Sequence, residues 1–368
     1  LDLETGAETL YADDVDIDDI VWMGPQPSVR SKAELVGVGE NAGSTQDGVS
    51  APYCKFFEAV AMAKAAGRLV HFVPQSRYYN QMRLAQVLGL APELVSSRKL
   101  DGDSAASKAL VRAIVSMRLV KQDCEIEAID DACDLGIEMH TIAREGCRPG
   151  ALEQEIVGRM EGVTLSKGWG VSFTTILSQN GETLHNHTHH QIITPGRLLV
   201  VDAGAESNIH YASDFTRTYP CGGKFTPQQK EIYDLVHSCN EFAFSMVRPG
   251  ITYRDVHIAT VTKMLEGLKA AGLVSGDPAE LAADGIGGLF MPHGLGHNMG
   301  LDVHDMEDYG EDYVGYDDDQ KREGGVGLAN LRMARRLVPG NVITDEPGIY
   351  FIPALIAQFK RDALDKGR

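Results

Sequence analysis

The sequence predicts an α+β protein built in two parts. Apolar residues recur at helical spacing between cap and stop signals, and short β-rich runs end on turn residues. The succession of helix, Arg-Pro-Gly corner, helix and strands is met twice, with the corners 100 residues apart at Arg148-Pro149-Gly150 and Arg248-Pro249-Gly250. Such a duplicated α+β half implies a site at the seam between the halves. At about 150 residues per domain, 368 residues are expected to form two domains. The 43% of hydrophobic and 23% of charged residues suit a large globular core, not a fibrous or low-complexity chain.

Residues 1–103 alternate short apolar runs with turn residues in an α/β pattern. Leu1 to Gly6 reads as strand and turn, and Ile20 to Trp22 as a short apolar run. A helix-like run from Ser50 to Ala66, a strand-like Leu69 to Val73 and a helical Tyr78 to Leu88 follow. The character changes after Asp101-Gly102-Asp103-Ser104, which places a second domain at 104–368. There Asp123 caps a helix with the stripe Ile126, Ile129, Cys133 and Ile137, which stops near Gly146 and Pro149; a further helix covers Ala151 to Met160. Leu198 to Val201 is a buried strand ending on Asp202, and Ser213 to Tyr219 is a second strand. Thr226-Pro227-Gln228-Gln229 is a capping box that opens a helix with the stripe Ile232, Val236, Cys239, Ala243 and Met246, and another helix starts at Tyr253.

Chemistry concentrates in this second part. A hairpin symmetric about Asn208 would set Asp202 opposite Asp214 on one face, where like charges need a cation between them; otherwise they are two solvated surface acids. His293, His297 and His304 crowd a Gly-rich loop, which favours ligand or acid–base roles over packing. Gly294 and Gly296 argue against a helix there, and the Glu of the H-E-x-x-H zinc motif is missing. Val342 to Glu346 reads as a strand delivering an acid ahead of the Pro347-Gly348 turn. In His185-Asn186-His187-Thr188-His189-His190, alternate histidines on a strand could hold one metal in a cupin-like barrel; the better expectation is a solvated loop with one working histidine.

Composition excludes other classes. With 34 Lys and Arg against 52 Asp and Glu, the net charge is −18, and Arg332, Arg335 and Arg336 form only a short basic patch, so nucleic acid is not an expected partner. No run approaches the roughly 18 apolar residues of a membrane span, so no membrane partner is expected either. Six scattered cysteines without a C-x-x-C pair suit a reducing cytoplasm. Leu1 opens and Arg368 closes the chain without natural ends, so both domains are expected to be incomplete there, and localisation rests on cysteine usage alone.

Asp202, Asp214, His297 and Glu346, with their flanking residues, resemble the metal-binding set of the pita-bread metallopeptidases. His-Gly-Leu-Gly-His-x-x-Gly-Leu-x-x-His-Asp from His293 to Asp305, Asp-Phe-Thr-Arg-Thr from Asp214 to Thr218 and Glu-Pro-Gly-Ile-Tyr from Glu346 to Tyr350 are similar to motifs of aminopeptidase P and prolidase, which cleave Xaa-Pro bonds. The resemblance covers roughly residues 105 to 350. It implies a duplicated pita-bread catalytic domain preceded by a smaller creatinase-like α/β domain, association into a homo-oligomer, and two metal ions. Asp202 would bind one ion, Asp214 would bridge both, and His297 and Glu346 would bind the second. The family's fifth ligand, a Glu in an Arg-Ile-Glu-Asp strand, has no counterpart before Arg368: either that strand lies beyond this sequence or this copy cannot hold two metals properly. The stretch between Asp305 and Pro339, with Asp317-Asp318-Asp319 and Gly324-Gly325, departs from the family and reads as a solvated loop or a lid.

An oxygen-rich set favours hard divalent ions, so Mn²⁺ is expected ahead of Zn²⁺, with Co²⁺ as a laboratory substitute. Two ions roughly 3.5–4 Å apart hold hydroxide near neutral pH, which would attack the carbonyl carbon before proline. By resemblance, His185 and His304 stabilise and position the oxyanion, His293 lines the proline pocket, and Glu346 doubles as proton shuttle. Substrates would be peptides or dipeptides with proline second, a residue that ordinary peptidases cannot grip because its nitrogen carries no hydrogen. The resemblance leaves a metal-free creatine hydrolase or peptide-binding module as the rival class, disfavoured by the intact ligands. The N-terminal domain and His304 fit the proline-directed branch better than methionine aminopeptidase. Gly223 to Thr226, with Gln229 and Glu231 to Asp234, leans toward aminopeptidase P over prolidase.

Overall fold

The computed structural model describes residues 1–38, 50–96, 104–324 and 327–365. Asp101, Gly102 and Asp103 at the expected boundary and Gly325 of the acidic stretch lie outside the described residues. The chain divides into two compact units, Leu1–Leu110 and Val111–Arg368.

In the first unit β1 (Leu10–Tyr11) pairs in parallel with β2 (Ser50–Ala51). The side chains of Asp16 and Ser28 cap α1 (Ile17–Met23) and α2 (Val29–Leu35). Helices α3 (Cys54–Ala65) and α4 (Tyr78–Leu88) enclose a small core of Val60, Ala85, Leu88 and Val95. Two expectations are corrected. Leu1 to Gly6 is a turn closed by the Gly6 amide on the Asp2 carbonyl. Leu69 to Val73 is not a strand: Val70 and Phe72 pack on the core, but among the described residues no strand lies beside them to complete a ladder.

Helix α5 (Lys108–Leu119) leads into the second unit. Helix α6 (Asp123–Gly146) starts from a capping box of Gln122 and Glu125, with Asp123 as its first residue, not its cap. Its buried face is Ala128, Ile129, Ala132, Gly136, Met139 and Ala143, whereas Ile137 of the expected stripe is 56% exposed. Close packing is the reason. A Cβ on Gly136 would lie 2.8 Å from the Phe215 ring, so size, not hydrophobicity, decides which face meets the sheet. Then come α7 (Glu153–Lys167), β3 (Gly170–Val171), β4 (Ile176–Ser178), β5 (Leu198–Ala203), β6 (Ala205–Glu206) and β7 (Phe215–Pro220). The sheet runs β4-β5-β7, antiparallel throughout, and β3 pairs with β6. Helix α8 (Pro227–Met246) carries the expected Thr226–Gln229 capping box; α9 (Tyr253–Ala270), α10 (Pro278–Ala283), α11 (Glu311–Val314) and α12 (Pro353–Asp365) complete the unit.

The duplication is written in the backbone. Gly150 and Gly250 both turn the corner with positive φ, +88° and +90°, a conformation that disfavours any side chain. Gly150, Glu153 and Gln154 donate to the carbonyls of Ile193, Gln191 and His189; Gly250, Tyr253 and Arg254 donate to those of Leu337, Arg335 and Ala334. The bridges Leu152↔Ile192 and Thr252↔Arg336 match. In each half a Pro-Gly turn follows, Pro195-Gly196 and Pro339-Gly340. The same distance further along the chain stands an acid, Asp202 in the first half and Glu346 in the second. Met139, Ile156, Met160, Leu177 and Leu199 fill the first core; Cys239, Met264, Leu265, Phe290 and Met291 fill the second.

The acidic stretch is more than a solvated loop. Asp318 and Asp319 are exposed, but Tyr316, Leu331 and Ala334 form a buried cluster, and Met333 and Leu337 pack with Ala243 of α8 and with Tyr253 and Val256 of α9. Its apolar residues had been hidden from the sequence reading by the charges between them.

Candidate metal centre

Strand β5 carries Asp202 near its end, and Asp214 directly precedes β7. The hairpin is not centred on Asn208. The register pairs Asp202 with Thr216, and Glu206 bridges Ala212, which moves the centre one residue along to Ile209. Asp214 is therefore diagonal to Asp202 and not opposite it. A step of two residues keeps both acids on one face, so the shared face survives the correction.

The second half supplies the other residues. The segment from Val342 to Glu346 lies antiparallel to Leu295–Met299: the amides of Glu346, Thr344 and Met299 donate to the carbonyls of Leu295, His297 and Val342, at 2.9, 3.0 and 3.1 Å. Only an isolated bridge, Asn298↔Ile343, interrupts the irregular backbone, so the strand expected here is a partial one. Glycine at 296 is required by this approach, because a Cβ there would lie 2.1 Å from the Thr344 carbonyl oxygen. Thr344 locks the arrangement. Its Oγ1 accepts from the His297 amide at 2.9 Å and donates to Glu346 Oε1 at 2.8 Å, while Tyr253, fully buried in α9, donates its hydroxyl to the Thr344 carbonyl at 2.5 Å.

Asp214, His297 and Glu346 converge: one ligand atom from each lies within 4.8 Å of the others. His297, 3% exposed, places Nε2 3.2 Å from Asp214 Oδ2 and 3.3 Å from Glu346 Oε1. Its Nδ1 donates to the Asn298 carbonyl at 3.0 Å, which fixes the tautomer that turns Nε2 toward the carboxylates. Burial works against a charged His297, but the hydrogen bonds and charges of Asp214 and Glu346 prevail and raise its pKa to about 10. Burial would raise the Glu346 pKa, yet its bond to His297 and that imidazole's charge hold it below the ordinary value. Asp202 goes the other way: burial, then the charges of Asp214 and Glu346, push it up to about 8, and its Oδ1 is buried without a hydrogen-bond partner. A divalent cation fits this set. It would be held by Asp214, His297 and Glu346, whose ligand atoms converge without Asp202, relieve the repulsion among the carboxylates, and replace the proton on Nε2.

The remaining candidates sit around this cluster. The His304 ring meets His297 edge-on with centroids 4.3 Å apart, and its Nδ1 is 3.7 Å from Glu307, which in turn pairs with Arg332. His293 donates Nδ1 to the Gly294 carbonyl at 2.8 Å, stands edge-on to Tyr350, and keeps Nε2 buried without a partner. His185 is exposed and stacked at 6.5 Å on His187, outside the convergent group. The rival single-metal site of alternate histidines is overturned: 185–190 is not a strand, His189 spends Nδ1 on the Leu177 carbonyl, and among the described residues only Asp214, His297 and Glu346 bring three ligand atoms together. Sequence reading missed Thr344, Tyr253 and Asp345. The carboxylate of Asp345 is buried without a partner and raised to about 7 by burial and the neighbouring charge of Glu346. Only proximity to Glu346 could have flagged Thr344 and Asp345, and nothing flags Tyr253.

A duplicated α+β unit whose seam gathers carboxylates and an imidazole defines a metal-binding protein of the pita-bread class. The chain belongs to metallopeptidase family M24, whose profile matches residues 127–364, and membership of that family implies divalent metal ions. It is similar to the Xaa-Pro dipeptidase of Rattus norvegicus, 36% identical over 257 residues, which are 68% of this chain and 51% of that protein. Its identity to the Xaa-Pro aminopeptidase of Escherichia coli (strain K12) is 37% over 240 residues, 64% of this chain and 50% of that protein. Among solved structures, proline aminopeptidase P II from Yersinia pestis aligns with a TM-score of 0.72 at 28% identity, over 93% of this chain and 72% of that one. Zinc-substituted E. coli aminopeptidase P in complex with product aligns at 0.69 and 28%, over 93% and 71%. The chain spans about half the length of the curated relatives named here.

Proposed function

We propose that this protein hydrolyses the bond between an N-terminal residue and a following proline, as an Xaa-Pro aminopeptidase. The observation that carries the reading is the convergence of Asp214 with His297 and Glu346, acids and imidazole from opposite halves of the duplicated unit. Residues 104–368 would be the catalytic domain and 1–103 a creatinase-like domain that supports a homo-oligomer. Mn²⁺ suits the oxygen-rich donors best. Asp202, whose buried Oδ1 has no partner, would hold a second ion together with Asp214 on the same face.

When bound, such ions polarise the scissile carbonyl and lower the pKa of water. The chain's own residues do the rest. Glu346, kept ionised beside His297, would move a proton; His304 and His185 would donate to the developing oxyanion, and His293 with Tyr350 would wall a pocket for the proline ring. All six cysteines are free, which supports a cytoplasmic setting, and no described helix is long and apolar enough to cross a membrane. The resemblance to the rat Xaa-Pro dipeptidase favours a second reading, in which only dipeptides are cleaved.

An assay of the Mn²⁺-loaded protein with Xaa-Pro and Xaa-Pro-Yaa substrates decides between these readings. The expected result is release of Xaa from both, leaving proline from the dipeptide and Pro-Yaa from the longer peptide, lost on chelation and in Asp214→Ala. Cleavage of dipeptides alone selects the second reading, and activity that survives chelation and Asp214→Ala refutes both.

A further inference from the structure

One buried ionic cluster lies outside the candidate ligand set. Lys121, whose side chain is 2% exposed, donates Nζ to Asp305 Oδ2 at 2.8 Å and to the Arg118 carbonyl at 2.7 Å. Arg118 donates Nη2 to Asp305 Oδ1 at 2.6 Å. Asp305 is itself 1% exposed, so two cations are spent on one carboxylate in the interior. Such an arrangement is costly to desolvate and is weak evidence for stability alone.

The cluster is connected to everything that shapes the centre. Asp305 follows His304, and its amide donates to the Asn298 carbonyl at 3.0 Å, closing the loop that runs from His297 to His304. A Cβ on Gly300 would lie 2.5 Å from Asp305 Oδ2, so the loop wraps the carboxylate closely. On the other side the Lys121 amide donates to the Gly340 carbonyl at 2.8 Å, and Asn341 donates to the Leu119 carbonyl at 2.9 Å, which fixes the start of the segment that ends on Glu346. Residues 118–121 thus hold the two segments of the second half that reach the centre. His304, the neighbour of Asp305, makes the edge-on contact with His297.

We infer that Asp305, clamped by Lys121 and Arg118, is a positioning residue for His304. The inference rests on the proposed peptidase reading for what His304 does, but not for where its ring is held. Lys121→Met keeps the length of the stem and removes the charge; Arg118→Gln is the milder variant, since that side chain is already 23% exposed. The experiment uses the full chain with Mn²⁺ and an Xaa-Pro-Yaa peptide, together with spectra of ¹⁵N-histidine-labelled protein. Lys121→Met is expected to lower kcat by about tenfold or more with KM and Mn²⁺ affinity nearly unchanged, as supporting contacts commonly do. In the double variant with His304→Ala the loss should be no larger than for His304→Ala alone, because one residue acts through the other. The His304 resonances should move in Lys121→Met and Arg118→Gln while those of His189 stay. Additive losses, or an unmoved His304 signal in both variants, overturn the inference. A wild type that binds Mn²⁺ without cleaving the peptide refutes the peptidase reading instead, and the histidine spectra still decide the positioning.

Discussion

His297 sets the pH response of the centre. In the metal-free chain its pKa is raised to about 10, above the ordinary 6.5, so its contribution to stability is present in full below pH 6.5 and is lost as pH rises through 10. Asp202, raised from 3.8 to about 8, adds to the same trend, since the folded chain binds its proton more tightly than the unfolded one. Metal-free protein should therefore lose stability from about pH 4 to 8 through Asp202 and from about pH 6 to 10 through His297, measurable as a falling urea midpoint. Mn²⁺ affinity should rise over the same intervals, because the ion competes with both protons. A urea midpoint that climbs with pH would contradict these assignments. Thr344 provides a second test at this scale. Thr344→Val removes the hydroxyl that joins the His297 amide to Glu346, and should weaken Mn²⁺ binding by about 10- to 100-fold in equilibrium dialysis while the chain stays folded.

At the level of elements, the glycine of the His-Gly-Leu-Gly-His segment is a steric requirement. Gly296→Ala would drive a Cβ against the Thr344 carbonyl, forcing the His297 segment away from the Glu346 segment. The expected outcome is a folded protein by circular dichroism that has lost Mn²⁺ binding. Helix α6 gives a contrast that exposes the limits of pattern reading. Met139→Ala should cost about 2–5 kcal/mol in urea unfolding, whereas Ile137→Ala should stay within about 0.5 kcal/mol, although the heptad-like spacing placed Ile137 in the stripe. Capping chemistry was legible at α8, where the side chains of Thr226 and Gln229 satisfy each other's amides, but not at α6, where Gln122 and not Asp123 is the cap. The run Leu69 to Val73 was not, because a strand exists only through its partner, and composition says nothing of what lies beside it.

Across the whole molecule, the two Arg-Pro-Gly corners announced a duplication that the hydrogen bonds of Gly150 and Gly250 carry through residue by residue. That symmetry explains why the candidate ligands are so far apart in sequence: each half carries an acid, Asp202 or Glu346, at the same distance beyond its Pro-Gly turn, and the halves meet there. The candidate ligands were legible through the family-like motifs around Asp202, Asp214, His297 and Glu346, since the residues alone left the two aspartates open as solvated surface acids. The residues that hold them were not. Tyr253, Lys121 and Asp305 act through contacts with segments distant in sequence, and no local pattern marks such contacts. The corner glycines also invite a test of their equivalence: Gly150→Ala and Gly250→Ala should each destabilise the chain by about 1–3 kcal/mol in urea unfolding, the strain of a positive φ on a side chain.

The most direct measurement of the central claim is calorimetric titration of Mn²⁺ into the wild type, Asp214→Asn and His297→Ala, one ligand removed from each half. Stoichiometric binding by the wild type is expected, with collapse of affinity in both variants and folding retained. Wild-type affinity in either variant would contradict the claim.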